Sequence, residues 1–103
     1  MVQRLEGIWQ CCCLCFRDDV VQRCQVENRK INAIGLDTAS IDYGQSTGFE
    51  SHVTLMDKNI PAFENVANLD ELPANGFTVV ALPMKIRNGS GAPLRIVALL
   101  PEN

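Results

Sequence analysis

Histidine occurs once in the 103 residues, at position 52. A metal centre built on two or three imidazoles is therefore excluded from this chain alone. A basic excess is lacking as well: nine Lys and Arg stand against twelve Asp and Glu, a net charge of −3, which leaves no electropositive stripe for a phosphate backbone. Nucleic acid is not an expected partner. No apolar run approaches the ~20 residues that span a bilayer, and the opening MVQRLEGIWQCCCLCF places Glu6 beside an apolar stretch too short for a signal peptide. The expectation is a cytoplasmic chain with no membrane partner. Repeats and low-complexity linkers are absent too, which excludes solenoids and flexible arrays.

What is present is the composition of a globular domain, 47% hydrophobic and 20% charged. A chain of this length forms one domain at most and buries roughly 60–65% of its unfolded surface. Five cysteines, four of them in CCCLC, make an odd and closely packed set that suits reduced thiols better than a disulfide framework. Cys12 and Cys15 form a C-x-x-C, but a structural zinc needs four ligands, and only Cys24 and His52 follow. A redox pair, a lipid-anchored cysteine cluster, and a small apolar segment whose thiols pack or lie disordered are the other readings of that segment.

The texture changes near residue 17, from an irregular start to regular elements. Asp19 ahead of Val20, Val21 and Cys24, with Gln22 three positions on, predicts a helix over about 19–29. INAIGLD then reads as a short buried strand through Ile31, Ala33, Ile34 and Leu36, and TASIDYGQSTG as loop. Asp37, Ser40 and Asp42 stand at the end of that strand, as functional groups or as turn and cap hydrogen-bonders. Toward the C-terminus, GFTVVALPMKI and PLRIVALL predict two strands covered on both faces, joined through the glycines of RNGSGA. That loop lacks a G-K-[ST] ending, so a hairpin connection is the better reading than a phosphate cradle. Together the expected sheet includes about 32–37, 77–86 and 94–100.

Thr47 followed by Glu50 has the spacing of a capping box, and Phe49, His52, Val53 and Met56 recur at helical spacing. A helix over about 48–58 follows, stopped by Asn59 and Pro61. IPAFENV is then a short strand, with a turn of helix in NLDEL. From His52 to Lys58 a helix advances about 9 Å, and four extended residues from Ile60 to Glu64 return about 13 Å, so an antiparallel return brings His52 and Glu64 level. That geometry permits a shared metal or acid–base site. A hydrogen-bonded core or surface histidine is the alternative.

From about Asp19 to Pro101 the chain resembles the C-terminal part of the cyclase family of metal-dependent hydrolases, which includes bacterial-type kynurenine formamidase and isatin hydrolase. The likeness is carried by VENRKINAIGLDTASIDYGQS, FESHVTL, IPAFENVANLDELP and FTVVALPMKIRNGSGAPLRIVAL. It implies an α/β fold, part of a swivelling β/β/α-type domain with a mixed sheet and a few helices. It divides the chain into a divergent cysteine-rich segment, 1–18, and a C-terminal domain portion, 19–103. It also implies that His52 and Glu64 lie at the active site as catalytic residues and metal ligands, with Zn2+ or Mn2+ as cofactor and no further cofactor-binding residue. The substrate it implies is a small aromatic amide of the N-formylkynurenine or isatin type, activated by a metal that polarises a carbonyl and acidifies a water.

The H-x-G-T-H-x-D motif that supplies the family's main metal ligands does not occur in these 103 residues. Metal binding by the chain alone is therefore expected to be weak or absent, and independent catalysis with it. Three functions remain open on these grounds. One is an amide hydrolase completed by a partner. Another is a non-catalytic portion that associates with itself or with full-length subunits, and the third a small protein built on CCCLC.

Overall fold

The computed structural model of the protein describes residues 8–10 and 31–102. The helix expected over about 19–29 and the CCCLC cluster lie outside the described residues. The described residues fall into two compact units, divided between Glu71 and Leu72. No helix among the described residues is long and apolar enough to cross a membrane.

The first unit is built on a parallel sheet of three short strands, β1 (Ile8–Gln10), β2 (Ile34–Leu36) and β3 (Ala62–Phe63), in that spatial order. Ile8 pairs with Ile34 and Gln10 with Leu36 on one side, Ile34 with Ala62 and Gly35 with Phe63 on the other. The strand at IWQ was not expected, because the start of the chain shows no alternation over so few residues. Parallel neighbours cannot be joined by a tight turn, so the chain must travel back along the sheet between β2 and β3. Helix α1 (Glu50–Asp57) makes that return. The carboxyl ends of β2 and β3 and the start of α1 consequently belong to one end of the unit.

Packing fixes the helix from the opposite side to the one its sequence suggests. Leu55 is fully buried and Ser51, one turn earlier, is 1% exposed, whereas Phe49, Val53 and Met56 are half or more exposed. The apolar spacing of Phe49, Val53 and Met56 thus marks an outer face. Leu55 instead enters a cluster with Ile31, Ile34, Ile41 and Ile60, against which Leu36 and Ala62 pack. Asn59, at φ +55, takes the left-handed turn that ends the helix, and Ile60 N–H closes back on the Leu55 carbonyl at 2.9 Å. A single 3-10 turn, Leu69–Glu71, follows where NLDEL predicted helix.

The second unit is an antiparallel ladder of β4 (Thr78–Pro83) and β5 (Leu94–Leu99), in register from Thr78 opposite Leu99 to Pro83 opposite Leu94. Met84 N–H adds one further bond to the Pro93 carbonyl, at 2.9 Å. RNGSGA lies in the connection, with Asn88 at φ +60. The class is α/β, and both pairing senses of the expected mixed sheet occur, although in two sheets: among the described residues β2 pairs with β1 and β3, and β4 with β5. The ladder is not covered on both faces as its apolar runs predict. Val79 is buried, but Leu82 near the end of β4 is 50% exposed, and Val97 and Leu99 are 44% and 57% exposed because along β5 every second residue turns outward.

Candidate functional site

In an open α/β sheet the strands' carboxyl ends and the helix N-termini converge, and polar groups placed there meet without burying charge in the core. His52 stands in the first turn of α1, Glu64 directly follows β3, and Asp42 lies in the loop after β2. The parallel order of β2 and β3 therefore delivers all three to one end. The His52 Nε2 and Glu64 Oε1 atoms are 3.4 Å apart, with the two side chains about one-third exposed. The two residues read from the sequence as a pair do meet.

What sequence reading did not place in the site is Asp42. Its carboxylate is 2% exposed and accepts three hydrogen bonds: from Ser51 N–H to Oδ1 at 2.7 Å, from His52 N–H to Oδ2 at 3.1 Å, and from His52 Nδ1 to Oδ2 at 2.5 Å. It thus caps α1 from outside the helix. The Thr47–Glu50 capping box does not form: the N-cap is Phe49, in the left-handed region at φ +49, and it makes no side-chain cap. Phe49 N–H is bound instead by Ser46 Oγ at 3.2 Å. An anion at a helix N-terminus is favoured by the unpaired amides and their aligned dipoles. A sequence signal did exist, in the position of Asp42 at the end of a strand.

Burial raises the pKa of Asp42, and hydrogen bonds from the His52 ring and then from the Ser51 and His52 amides outweigh it, so the carboxyl sits below its ordinary 3.8. A lowered folded-state pKa stabilises the fold fully above the unfolded value and ceases to do so as pH falls through the folded one. Asp42→Asn should therefore flatten the acid limb of stability below pH 3.8. Urea midpoints taken from about pH 6 down to about pH 2 would check this; equally steep limbs in the two proteins would contradict it.

Glu64 is held from the same loop, its Oε1 accepting Ile41 N–H at 3.1 Å. The loop in turn is tied down by Asn65 N–H to the Thr38 carbonyl and Val66 N–H to the Leu36 carbonyl, both 2.8 Å, and by Asp42 N–H to Ser40 Oγ at 3.1 Å. The Phe49 ring meets the His52 ring edge to face, with centroids 6.2 Å apart at 82°. A bulky residue at positive φ costs on the order of 1–2 kcal/mol, and here that strain adjoins the imidazole.

With Nδ1 donating to Asp42, Nε2 is left as an acceptor opposite another acceptor. Such a gap closes on a shared proton or on a cation bound to both. Two ligands about 2.0–2.2 Å from one tetrahedral ion stand roughly 3.3–3.6 Å apart, so 3.4 Å suits one edge of a zinc site. A complete one needs at least three protein ligands. Asp42 is committed to the helix and the ring, and among the described residues no group of three or more His, Cys, Asp or Glu side chains is placed to hold a metal ion.

No protein-family model matches the chain. Among curated proteins it is similar to an isatin hydrolase of Roseibium aggregatum, 38% identical over 79 residues, which cover 73% of this chain and 30% of the relative. A kynurenine formamidase of Paracidovorax citrulli is 29% identical over 93 residues, 90% of this chain and 42% of that protein. A kynurenine formamidase of Delftia acidovorans is 34% identical over 67 residues, 65% of this chain and 32% of the relative. The chain spans less than half the length of each.

Proposed function

Because the chain is a cyclase-family relative of isatin hydrolase and kynurenine formamidase, we propose that it supplies the C-terminal part of a hydrolase for small aromatic amides, with His52 and Glu64 as the reacting pair. The observation that carries this reading is the 3.4 Å approach of His52 Nε2 to Glu64 Oε1. Zinc or manganese would take those two atoms as ligands and its others from outside the described residues, and when bound it would polarise the carbonyl and acidify a water.

The residues in hand do the rest. The first-turn position of His52 on α1 and the place of Glu64 after β3 keep the two side chains facing each other. Ile41 N–H steadies the Glu64 carboxylate. In the hydrolysis of an amide a proton must leave the attacking water and another must reach the departing nitrogen, and the Glu64 carboxylate, which keeps a second oxygen when Oε1 is engaged, is suited to carry both. The exposed Phe49 ring beside His52 offers an edge to an aromatic substrate.

A second reading, association with itself or with a full-length relative without catalysis, is favoured by the exposed Leu82, Val97, Leu99 and Leu100 of the β4–β5 ladder and its end. One assay separates the two. The purified chain with zinc or manganese should leave N-formylkynurenine at the background rate, and turnover should appear on mixing with a separately expressed N-terminal half of a cyclase-family hydrolase. Turnover by the chain alone, lost in His52→Ala, would contradict the partial-domain reading. A mixture that forms a complex yet stays at background would favour the second.

A further inference from the structure

We propose that Asp42 is the positioning residue of this site: it fixes neutral His52 as the Nδ1–H tautomer and so makes Nε2 the nitrogen that reacts. The inference rests on the reading of His52 and Glu64 as the reacting pair, and it adds a third residue and a defined hydrogen position to that reading.

The geometry is over-determined in a way that an incidental ion pair is not. Asp42 Oδ2 receives the ring nitrogen and the backbone N–H of the same residue, His52, at 2.5 and 3.1 Å, while Oδ1 receives Ser51 N–H at 2.7 Å. Both amides belong to the first turn of α1 and have no partner within the helix. The carboxylate is therefore held by the fold itself, and the ring is referenced to its own backbone. A carboxylate can only accept, so a neutral imidazole facing it must place its hydrogen on Nδ1. On the far side, Glu64 Oε1 at 3.4 Å also accepts, from Ile41 N–H at 3.1 Å. Glu64 is the weaker competitor for the ring hydrogen, because its contact is longer and its side chain is 30% exposed against 2% for Asp42.

An asparagine at position 42 has one oxygen to offer where the carboxylate has two. If that oxygen caps Ser51 N–H, the amide nitrogen faces the ring and donates to Nδ1, which moves the hydrogen to Nε2. A merely structural cap would still be provided by asparagine, whose one oxygen can accept the Ser51 amide, since both residues are favoured helix caps. The ring tautomer is thus a readout that a structural role would not move.

His52 is the only histidine of the chain, so its two ring nitrogens give the only imidazole signals in a 15N spectrum. The experiment is a 15N–1H correlation of the full chain at a pH where the ring is neutral, free of metal, for the wild type, Glu64→Gln and Asp42→Asn. In the wild type Nδ1 should read as the protonated, pyrrole-type nitrogen and Nε2 as the pyridine-type one. Glu64→Gln should leave that assignment unchanged. Asp42→Asn, with its methyl signals still dispersed as in a folded chain, should lose most of the Nδ1–H form. A wild type dominated by Nε2–H, a reversal in Glu64→Gln, or an unchanged tautomer in folded Asp42→Asn would each overturn the proposal. Should Asp42→Asn fail to fold, the first two spectra decide. None of these readings involves turnover, so a failed amide assay and a failed tautomer assignment remain separate results.

Discussion

Turnover in the reconstituted mixture should fall by roughly 10²–10⁴-fold when either His52 or Glu64 is replaced, His52 by alanine and Glu64 by glutamine. Replacing both should cost little more than the worse single change, since two groups that share one proton path or one ion act as a unit. The expectation follows from their separation: at 3.4 Å neither atom can be used without altering the other. Rates of formyl release for the four proteins, at saturating partner half, form the necessary cycle. Losses that multiply across the double variant would mean that the two residues work in separate steps, and the shared site would have to be abandoned.

Removing the Asp42 carboxylate altogether should be the most damaging single change for the fold at this site. Asp42→Ala deletes the cap of α1, about 1–2 kcal/mol, and strands the Ser51 amide beneath a buried residue, about 1–3 kcal/mol more. A combined loss of about 2–5 kcal/mol is a large share of the 5–15 kcal/mol typical of whole domains. Urea unfolding should register it as a midpoint lowered by roughly 1–2 M. Asp42→Asn, which keeps one acceptor, should lose about half as much. Alanine and wild-type midpoints within about 0.3 M of each other would show that water or Ser46 caps the helix as well.

The parts of this structure that sequence made legible are those governed by local spacing. The helix over 50–57 lies inside the expected 48–58, the β4–β5 hairpin falls on its two apolar runs, and the arithmetic of a helix followed by a returning strand brings His52 level with Glu64. What was not legible depends on contacts that no period encodes. Thr47 and Glu50 match a capping box, but the acceptor that caps the helix comes from Asp42, nine positions before Ser51. The same remote anchor, with Leu55 in the core, rotates the helix so that its apolar stripe faces outward. Strand partnership was likewise hidden, because INAIGLD and GFTVVALPMKI carry the same β-branched texture and nothing in either says which neighbour it will find.

Ile41 and Asp42 are consecutive, yet one steadies Glu64 through its amide and fills the core through its side chain, and the other holds His52 and the start of α1. The amide hydrogens of Ile41, Ser51 and His52 are consequently all sealed by carboxylates of the site. Deuterium from solvent reaches them when this dipeptide lifts away, and lifting it takes Asp42 from His52 and the Ile41 amide from Glu64 at once. The exchange of three amides is thus a clock for the integrity of the whole centre, running before any substrate has been identified.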